Sequence, residues 1–255
     1  GHGGGTRGEV QNQGVSIRMT VRTCSALGNL HPQQSPQTTS RGLADRGKLW
    51  RPGQILTVGF LDGAPALRQK VFRAAQEWAA YANIKFQLVA TPHLTKNLKS
   101  TIRITFVSGG SWSYIGTDAL GIQAGQPTMQ LGWLTESSQD SEIRRVTLHE
   151  FGHALGLLHE HQHPEGGIHW DREQVLAHYK RTNGWSEAQT EVNVLAGVNG
   201  SQFLASAFDP RSIMLYPIPA ALTTDGYSTQ WNYTLSDGDK ALAAQLYPKR
   251  QATYR

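Results

Sequence analysis

The segment HEFGHALGLLH, from His149 to His159, constrains the fold of this chain more than any other feature. On an α-helix, His149 and His153 are one turn apart on the same face, so both imidazoles can reach one ion. Gly156 can leave the helix through a left-handed turn, which most other residues resist, and that turn can bring His159 round as a third ligand. The segment therefore predicts a helix that ends near Gly156 beside a three-histidine metal site.

The ligand set and Glu150 together indicate a catalytic zinc ion. Three neutral imidazole nitrogens and a water are typical of catalytic zinc, whereas structural zinc has a fourth protein ligand. Zinc lowers the pKa of its bound water and polarises a substrate carbonyl. Glu150 follows the first histidine and can take the proton of that water, then deliver it to the leaving amine. We predict a zinc-dependent endopeptidase with one catalytic Zn²⁺; a structural site or a surface histidine cluster would not require Glu150.

Composition narrows the remaining function classes. The chain has 255 residues and a formal net charge of +5, with its Lys and Arg residues scattered rather than in one run. We therefore expect protein or peptide substrates and no nucleic acid partner. No apolar run approaches the roughly 18 residues that span a bilayer, so no membrane span is expected. Cys24 is the only cysteine, which excludes an intrachain disulfide and is compatible with a cytosolic or a disulfide-poor secreted protein. We expect a secreted monomer.

Hydrophobic patterning divides the chain at residue 48. Residues 1–48 are rich in Gly, Gln, Ser and Thr and are predicted to be an N-terminal arm or pro-segment, whereas 49–255 form the catalytic domain, with an upper lobe at 49–159 and a lower lobe at 160–255. Alternation and turn residues predict strands at 15–21, 55–61, 84–90, 101–107 and 128–134, and a loop at 109–121. Helical spacing and caps predict helices at 65–82, 140–156, 171–180, 186–195 and 237–247. This pattern favours an α+β fold with a mixed sheet.

A second motif lies downstream, at SIMLYP from Ser212 to Pro217. Together with the extended zinc motif it resembles the metzincin peptidases, in which Met214 would form the Met-turn below the zinc. Glu160 directly after the third histidine, and Tyr216 two residues after the methionine, resemble the astacin-like family in particular. GSWSYIG at 110–116 is also similar to an astacin segment, and the whole resemblance covers about residues 49–248.

The resemblance implies a metzincin-like α+β fold. Its upper lobe would contain a mixed twisted sheet and two long helices, and its mostly irregular lower lobe would end in a helix. Substrate would lie extended along an edge strand, for which we predict TMQLGWL at 128–134. Tyr216 would be a loose zinc ligand that swings away and donates to the oxyanion, unless it is only a core aromatic. Met214 is a packing residue in either case.

Two residues near the site have alternative roles. In mature relatives the glutamate at the position of Glu160 meets a buried new N-terminus, which here would require removal of the arm; otherwise Glu160 is a solvated carboxylate or a hydrogen-bond partner of a zinc ligand. Cys24 could supply a thiolate to the open zinc position and hold the enzyme latent, as in the cysteine switch of some metzincins. The alternative for Cys24 is an incidental thiol.

Several further residues receive simpler explanations. His161, His163, His169 and His178 are expected at the surface or beside the ligands rather than on the metal. Asp237-Gly238-Asp239 is explained by helix capping better than by calcium binding.

Two other functions compete with a zinc endopeptidase. One is a zinc-containing, non-catalytic binding module of metzincin fold, which would not need Glu150. The other is hydrolysis of a non-peptide amide.

Overall fold

The computed structural model describes residues 42–89, 99–205 and 207–249, together with the backbone of 24–27. The strand predicted at 15–21 lies outside these residues. No helix in the described part of the chain combines the length and the apolar character that crossing a membrane requires.

A mixed sheet forms the centre of the described structure. The strands are β1 (Cys24–Leu27), β2 (Leu43–Asp45), β3 (Ile55–Phe60), β4 (Lys85–Leu88), β5 (Ile102–Thr105), β6 (Ser111–Tyr114), β7 (Met129–Leu131) and β8 (Phe203–Ala205). Six of them form one sheet in the order β1-β6-β7-β5-β3-β4, in which only the β6–β7 pair is antiparallel. β2 and β8 form a separate antiparallel pair.

Two long helices accompany this sheet. The α-helices are α1 (Pro65–Tyr81), α2 (Asp140–Ala154), α3 (Arg172–Asn183), α4 (Glu187–Thr190) and α5 (Asp237–Leu246). α1 and α2 pack against each other, and α5 packs against α1. The main apolar core includes strand residues such as Leu56, Trp78 of α1 and Phe151 of α2. The predicted α+β class is confirmed, with a mixed sheet and two long helices before the third histidine.

The prediction that residues 128–134 form an edge strand, along which substrate could bind, is wrong. β7 lies between β5 and β6, so it has a neighbour on both sides and cannot add a further strand. Gly132 suggested an edge, but a Cβ there would lie 2.6 Å from the carbonyl oxygen of Gly110. The glycine is needed because two backbone segments approach closely, which is the other common reason for glycine near a strand. β6, within the predicted loop at 109–121, lies nearer the edge and is paired on its outer side with β1.

Aromatic side chains satisfy the buried end of α2. The last carbonyl groups of a helix lack intrahelical donors and need other partners when they are buried. The indole Nε1 of Trp50 donates to the carbonyl of Ala154 at 2.7 Å, and the hydroxyl of Tyr247 donates to that of Leu155 at 2.6 Å. These partners come from opposite ends of the catalytic domain and fix where the helix ends.

Beyond α2 the chain turns and pairs with β2. Gly156 has φ +95°, a conformation that favours glycine, as the sequence predicts. The backbone N–H of Leu158 donates to the carbonyl of Leu43 at 2.9 Å, and that of Asp45 donates to the carbonyl of Gly156 at 3.0 Å. β2 lies in the segment that was predicted to be an arm, and its backbone hydrogen bonds fix the residues that lead to His159.

Removing the Tyr247 hydroxyl tests this helix end. Tyr247→Phe leaves the ring in place but removes the hydrogen bond that the buried carbonyl of Leu155 accepts. We therefore expect the free energy of unfolding to fall by about 1–3 kcal/mol. Tyr233→Phe makes the same deletion at a tyrosine that is 44% exposed and should change stability by less than about 0.5 kcal/mol. Urea unfolding measures both. Equal effects would show that the Tyr247 hydroxyl does not hold the helix end.

Candidate zinc site

Three histidine side chains converge at the end of α2. His149 and His153 lie one turn apart on the helix, and the turn at Gly156 brings His159 opposite them. The Nε2 atom of His153 lies 3.2 Å from that of His149 and 3.0 Å from that of His159. All three rings are buried, and their ligand atoms form the group that could hold a metal ion among the described residues. The sequence prediction of this cluster is confirmed in its geometry.

Backbone carbonyls orient two of the rings. Nδ1 of His149 lies 2.8 Å from the carbonyl oxygen of Ile213, and Nδ1 of His153 lies 2.9 Å from that of Leu157. A carbonyl only accepts, so each Nδ1 must carry the proton and donate. In a neutral imidazole the other nitrogen, Nε2, then has a lone pair available for a metal.

Burial keeps these imidazoles neutral. Removal from water lowers the pKa of His149 and of His159 well below the ordinary value and lowers the pKa of His153 to about 4. The neighbouring histidines add to the effect for His149 and His159. At neutral pH the cluster therefore presents three uncharged nitrogen donors.

Donor chemistry and spacing both fit zinc. Nitrogen atoms bound to tetrahedral zinc at its usual bond length are about 3.3 Å apart. The two Nε2 separations of 3.0 and 3.2 Å are close to this value. The Nε2 atoms of His149 and His153, which both carry a lone pair, cannot hydrogen-bond one another, and a cation between them would offset their repulsion. The three histidines would hold the ion, which leaves further coordination positions for water or substrate.

Glu150 and Tyr216 are both buried, Glu150 beside His149 in sequence and Tyr216 against the histidine rings, and their catalytic roles stay predictions. The carboxylate of Glu150 is fully buried and follows His149 on α2. The ring of Tyr216 has its centroid 4.4 Å from that of His159 and 5.7 Å from that of His149. Tyr216 therefore packs directly against two of the three histidine rings.

Met214 packs against α2 at Gly152, one residue before the second histidine. A Cβ placed on Gly152 would lie 2.4 Å from Sδ of Met214 and 3.3 Å from the Trp78 ring. Gly152 is needed at this point of the helix because the methionine occupies the space of a side chain. The Met-turn also contributes through its backbone, since the carbonyl of Met214 accepts from the N–H of Glu160 at 3.1 Å.

Asp239, in the first turn of α5, holds the Met-turn. Its Oδ1 accepts from the hydroxyl of Ser212 at 2.7 Å, and its Oδ2 accepts from the backbone N–H of Ile213 at 2.8 Å. Asp239 also completes a capping box with Ser236, so the capping explanation of this acidic triplet is confirmed. The residue whose carbonyl orients His149 is thus itself fixed by a buried carboxylate.

Glu160 is buried and is not the solvated carboxylate that was one of its alternatives. Its Oε1 accepts from the backbone N–H of Asp209 at 2.8 Å. Burial raises the pKa of Glu160 well above its ordinary value, and the charges of Asp239 and Asp209 raise it further. Such a carboxyl group is receptive to a cation, because a positive charge beside it would offset both effects.

The remaining predicted residues are dispersed. Cys24 begins β1, where the structure describes the backbone alone; it pairs in parallel register with Ser111 of β6. His161 and His163 are buried near the ligands, whereas His169 is exposed and pairs with Asp225 at 3.2 Å. Sequence spacing assigns His161 no defined role and does not predict that its ring contacts Tyr216.

Comparison with known proteins agrees with this geometry. The family model for astacin, a family of peptidases, matches residues 43–238. A solved structure of myroilysin is 43% identical to this chain, with a TM-score of 0.77, and the alignment covers 82% of this chain and 100% of that one. A crystal structure of myroilysin is 38% identical, with a TM-score of 0.64 and coverage of 90% and 92%. The comparison with curated proteins finds no match.

A more distant structure shares the fold. High choriolytic enzyme 1, a hatching enzyme zinc-protease from the medaka fish Oryzias latipes, is 15% identical to this chain, with a TM-score of 0.55. The alignment covers 80% of this chain and 96% of the hatching enzyme. At this identity the likeness concerns the fold alone.

Gly152→Ala tests the packing of the Met-turn against the metal-binding helix. Helix propensity alone predicts a gain of about 1 kcal/mol, whereas overpacking against Met214 costs about 1–3 kcal/mol. We expect a net loss of stability of up to about 2 kcal/mol in urea unfolding. Met214→Ala makes room for the new methyl group, so the double variant should lose less than the sum of the single variants by at least about 0.5 kcal/mol. A stabilised Gly152→Ala protein would contradict this packing.

Proposed function

The chain belongs to the astacin family of zinc-dependent endopeptidases, and from this premise we propose that Glu150 is its general base and Tyr216 its movable additional zinc ligand. The proposal is supported by the ring of Tyr216, which packs against His149 and His159 of the three-histidine cluster, and by the fully buried carboxylate of Glu150, which directly follows His149 on α2. A non-catalytic zinc module of the same fold would have no use for a carboxylate at position 150.

Zinc, Glu150 and Tyr216 would act at different steps in the hydrolysis of a peptide bond. When bound, zinc acts as a Lewis acid that acidifies water and polarises the substrate carbonyl. The oxygen of the attacking water bonds to the carbonyl carbon of the substrate. As it does so, the carboxylate of Glu150 accepts a proton from that water. Glu150 then gives that proton to the amide nitrogen as the carbon–nitrogen bond breaks. The phenol of Tyr216 donates a hydrogen bond to the oxyanion and afterwards returns toward the ion.

We propose that β6 pairs with the substrate. A peptide can extend a sheet only at an edge, and β6 is the strand next to that edge. β1 already occupies this position in parallel register, so substrate and β1 compete for the same N–H and carbonyl groups. Cα atoms of β1 also come within 8 Å of α2, which carries two of the zinc ligands.

This competition supports a latent form of the enzyme. We propose that residues before β2 are a removable arm, with the boundary near residue 42 instead of 48 because β2 pairs with the segment before His159. The Cys24 thiolate would occupy the open zinc position until the arm leaves. Glu160 would then be available to a new cationic N-terminus. We propose that the protein is a zymogen, and we propose separately that it is secreted and monomeric.

Glu150→Gln tests the general base. The amide keeps the shape of the side chain but cannot accept the proton, so casein hydrolysis should fall by about 10²–10⁴-fold. Zinc content should stay at one ion per chain, measured by atomic absorption. Both proteins should carry Cys24→Ala to remove the thiol, and a chelator should abolish the parent's activity until zinc is restored. Full activity of the Glu150→Gln protein would contradict the assignment.

Cys24→Ala in the full chain tests latency separately. Loss of the thiolate ligand should raise the rate of casein hydrolysis by at least about tenfold, which corresponds to about 1.4 kcal/mol. Ser25→Ala, at the next position of β1, is the matched control and should leave the rate unchanged. An unchanged rate for Cys24→Ala, with the arm intact, would contradict the prediction that the thiol alone holds the enzyme latent.

A further inference from the structure

His161 is a buried titratable side chain that zinc binding and the hydrolytic steps do not use. It lies in the 3₁₀ turn Glu160–Gln162, directly after the third zinc ligand, and is 4% exposed. Burial lowers its pKa to about 4, so the ring is uncharged at neutral pH. A polar ring in such a place costs free energy unless its contacts repay it.

The ring of His161 stacks on two members of the site. Its centroid lies 4.7 Å from that of Tyr216, with the planes 24° apart. It lies 5.0 Å from the centroid of His159, with the planes 21° apart. His161 therefore contacts both the third zinc ligand and the tyrosine that is proposed to move, whereas the edge of its ring meets Trp170.

The orientation of this ring is set by a widened helical turn. Nε2 of His161 lies 2.8 Å from the carbonyl oxygen of Asn193, within the π-helix Glu191–Leu195. Gln162 adds a second contact, since its Nε2 donates to the carbonyl of Val192 at 2.7 Å. The π turn presents carbonyl groups that a continuing α-helix would use internally, and such turns are frequent at functional sites.

We propose that His161 is the positioning residue of Tyr216. The ring, oriented by the carbonyl of Asn193, forms a flat wall that confines the phenol to one plane between its zinc-bound and its oxyanion-bound positions. This inference rests on the proposed ligand role of Tyr216. It also gives the π-helix Glu191–Leu195 a function, because the carbonyl of Asn193 in that helix orients the ring that contacts Tyr216.

Packing alone is the competing explanation, and two substitutions separate it from positioning. His161→Gln can place an amide nitrogen near the position of Nε2 and keep the hydrogen bond to Asn193, but it removes the ring. His161→Phe keeps the flat ring and loses the hydrogen bond. Positioning by the ring predicts that Gln disturbs Tyr216 and that Phe largely rescues it, whereas a structural role of the hydrogen bond predicts the reverse order for stability.

The experiment uses the full chain carrying Cys24→Ala, with Cu²⁺ in place of zinc as a spectroscopic probe. A tyrosine oxygen bound to Cu²⁺ gives a charge-transfer absorption in the visible region, and Tyr216→Phe should abolish it. His161→Gln should reduce or shift this band while one Cu²⁺ remains bound. With zinc, it should lower kcat by about 10–100-fold with little change in KM. His161→Phe should retain the band and most of kcat.

Each outcome has one meaning. An unchanged band and kcat in His161→Gln, or a band lost in a folded, copper-binding His161→Phe protein, would overturn the positioning role. A band absent from the parent, or present in Tyr216→Phe, would instead show that Tyr216 is not a ligand. Should His161→Gln fail to fold, His161→Phe decides alone. His178→Gln, on α3, makes the same exchange at a histidine that contacts Tyr179, and should change neither signal.

Discussion

The two hydrogen bonds from histidine Nδ1 atoms to backbone carbonyls are the interactions on which the rest of this structure depends. They fix the tautomers of His149 and His153 and direct both Nε2 lone pairs to one point. One acceptor, the carbonyl of Leu157, belongs to the turn after α2, and the other, that of Ile213, belongs to the Met-turn. A catalytic zinc site in this fold therefore requires that two separate backbone segments be placed accurately.

The surrounding structure supplies this accuracy through buried contacts at every point where the chain changes direction. Trp50 and Tyr247 satisfy the carbonyls at the end of α2, β2 pairs with the segment that leads to His159, and Asp239 holds the Met-turn. These partners come from the beginning and the end of the domain. Because side chains in a closely packed interior have few alternative positions, these contacts restrict the orientations of the ligand rings.

Sequence predicted the parts of the site that depend on local spacing. The helix, the turn at Gly156 and the three histidines follow from residues i, i+4 and i+10, and the methionine followed from a second short motif. Long-range contacts have no such signal: the carbonyl partners of His149 and His153 are backbone atoms, and His161 meets Tyr216 only through the fold. The substrate strand was misplaced because Gly132 was attributed to an edge, whereas the approach of Gly110 explains it.

Zinc K-edge X-ray absorption spectroscopy of the purified full chain identifies the atoms that bind the ion and measures their distances from it. Three imidazole nitrogens held by oriented rings should appear as nitrogen scatterers at about 2.0–2.1 Å with the outer-shell pattern of imidazole. The same protein with His159→Ala should lose one of these three contributions or lose the ion. A spectrum with fewer than three imidazoles, or one that His159→Ala leaves unchanged, would contradict the account.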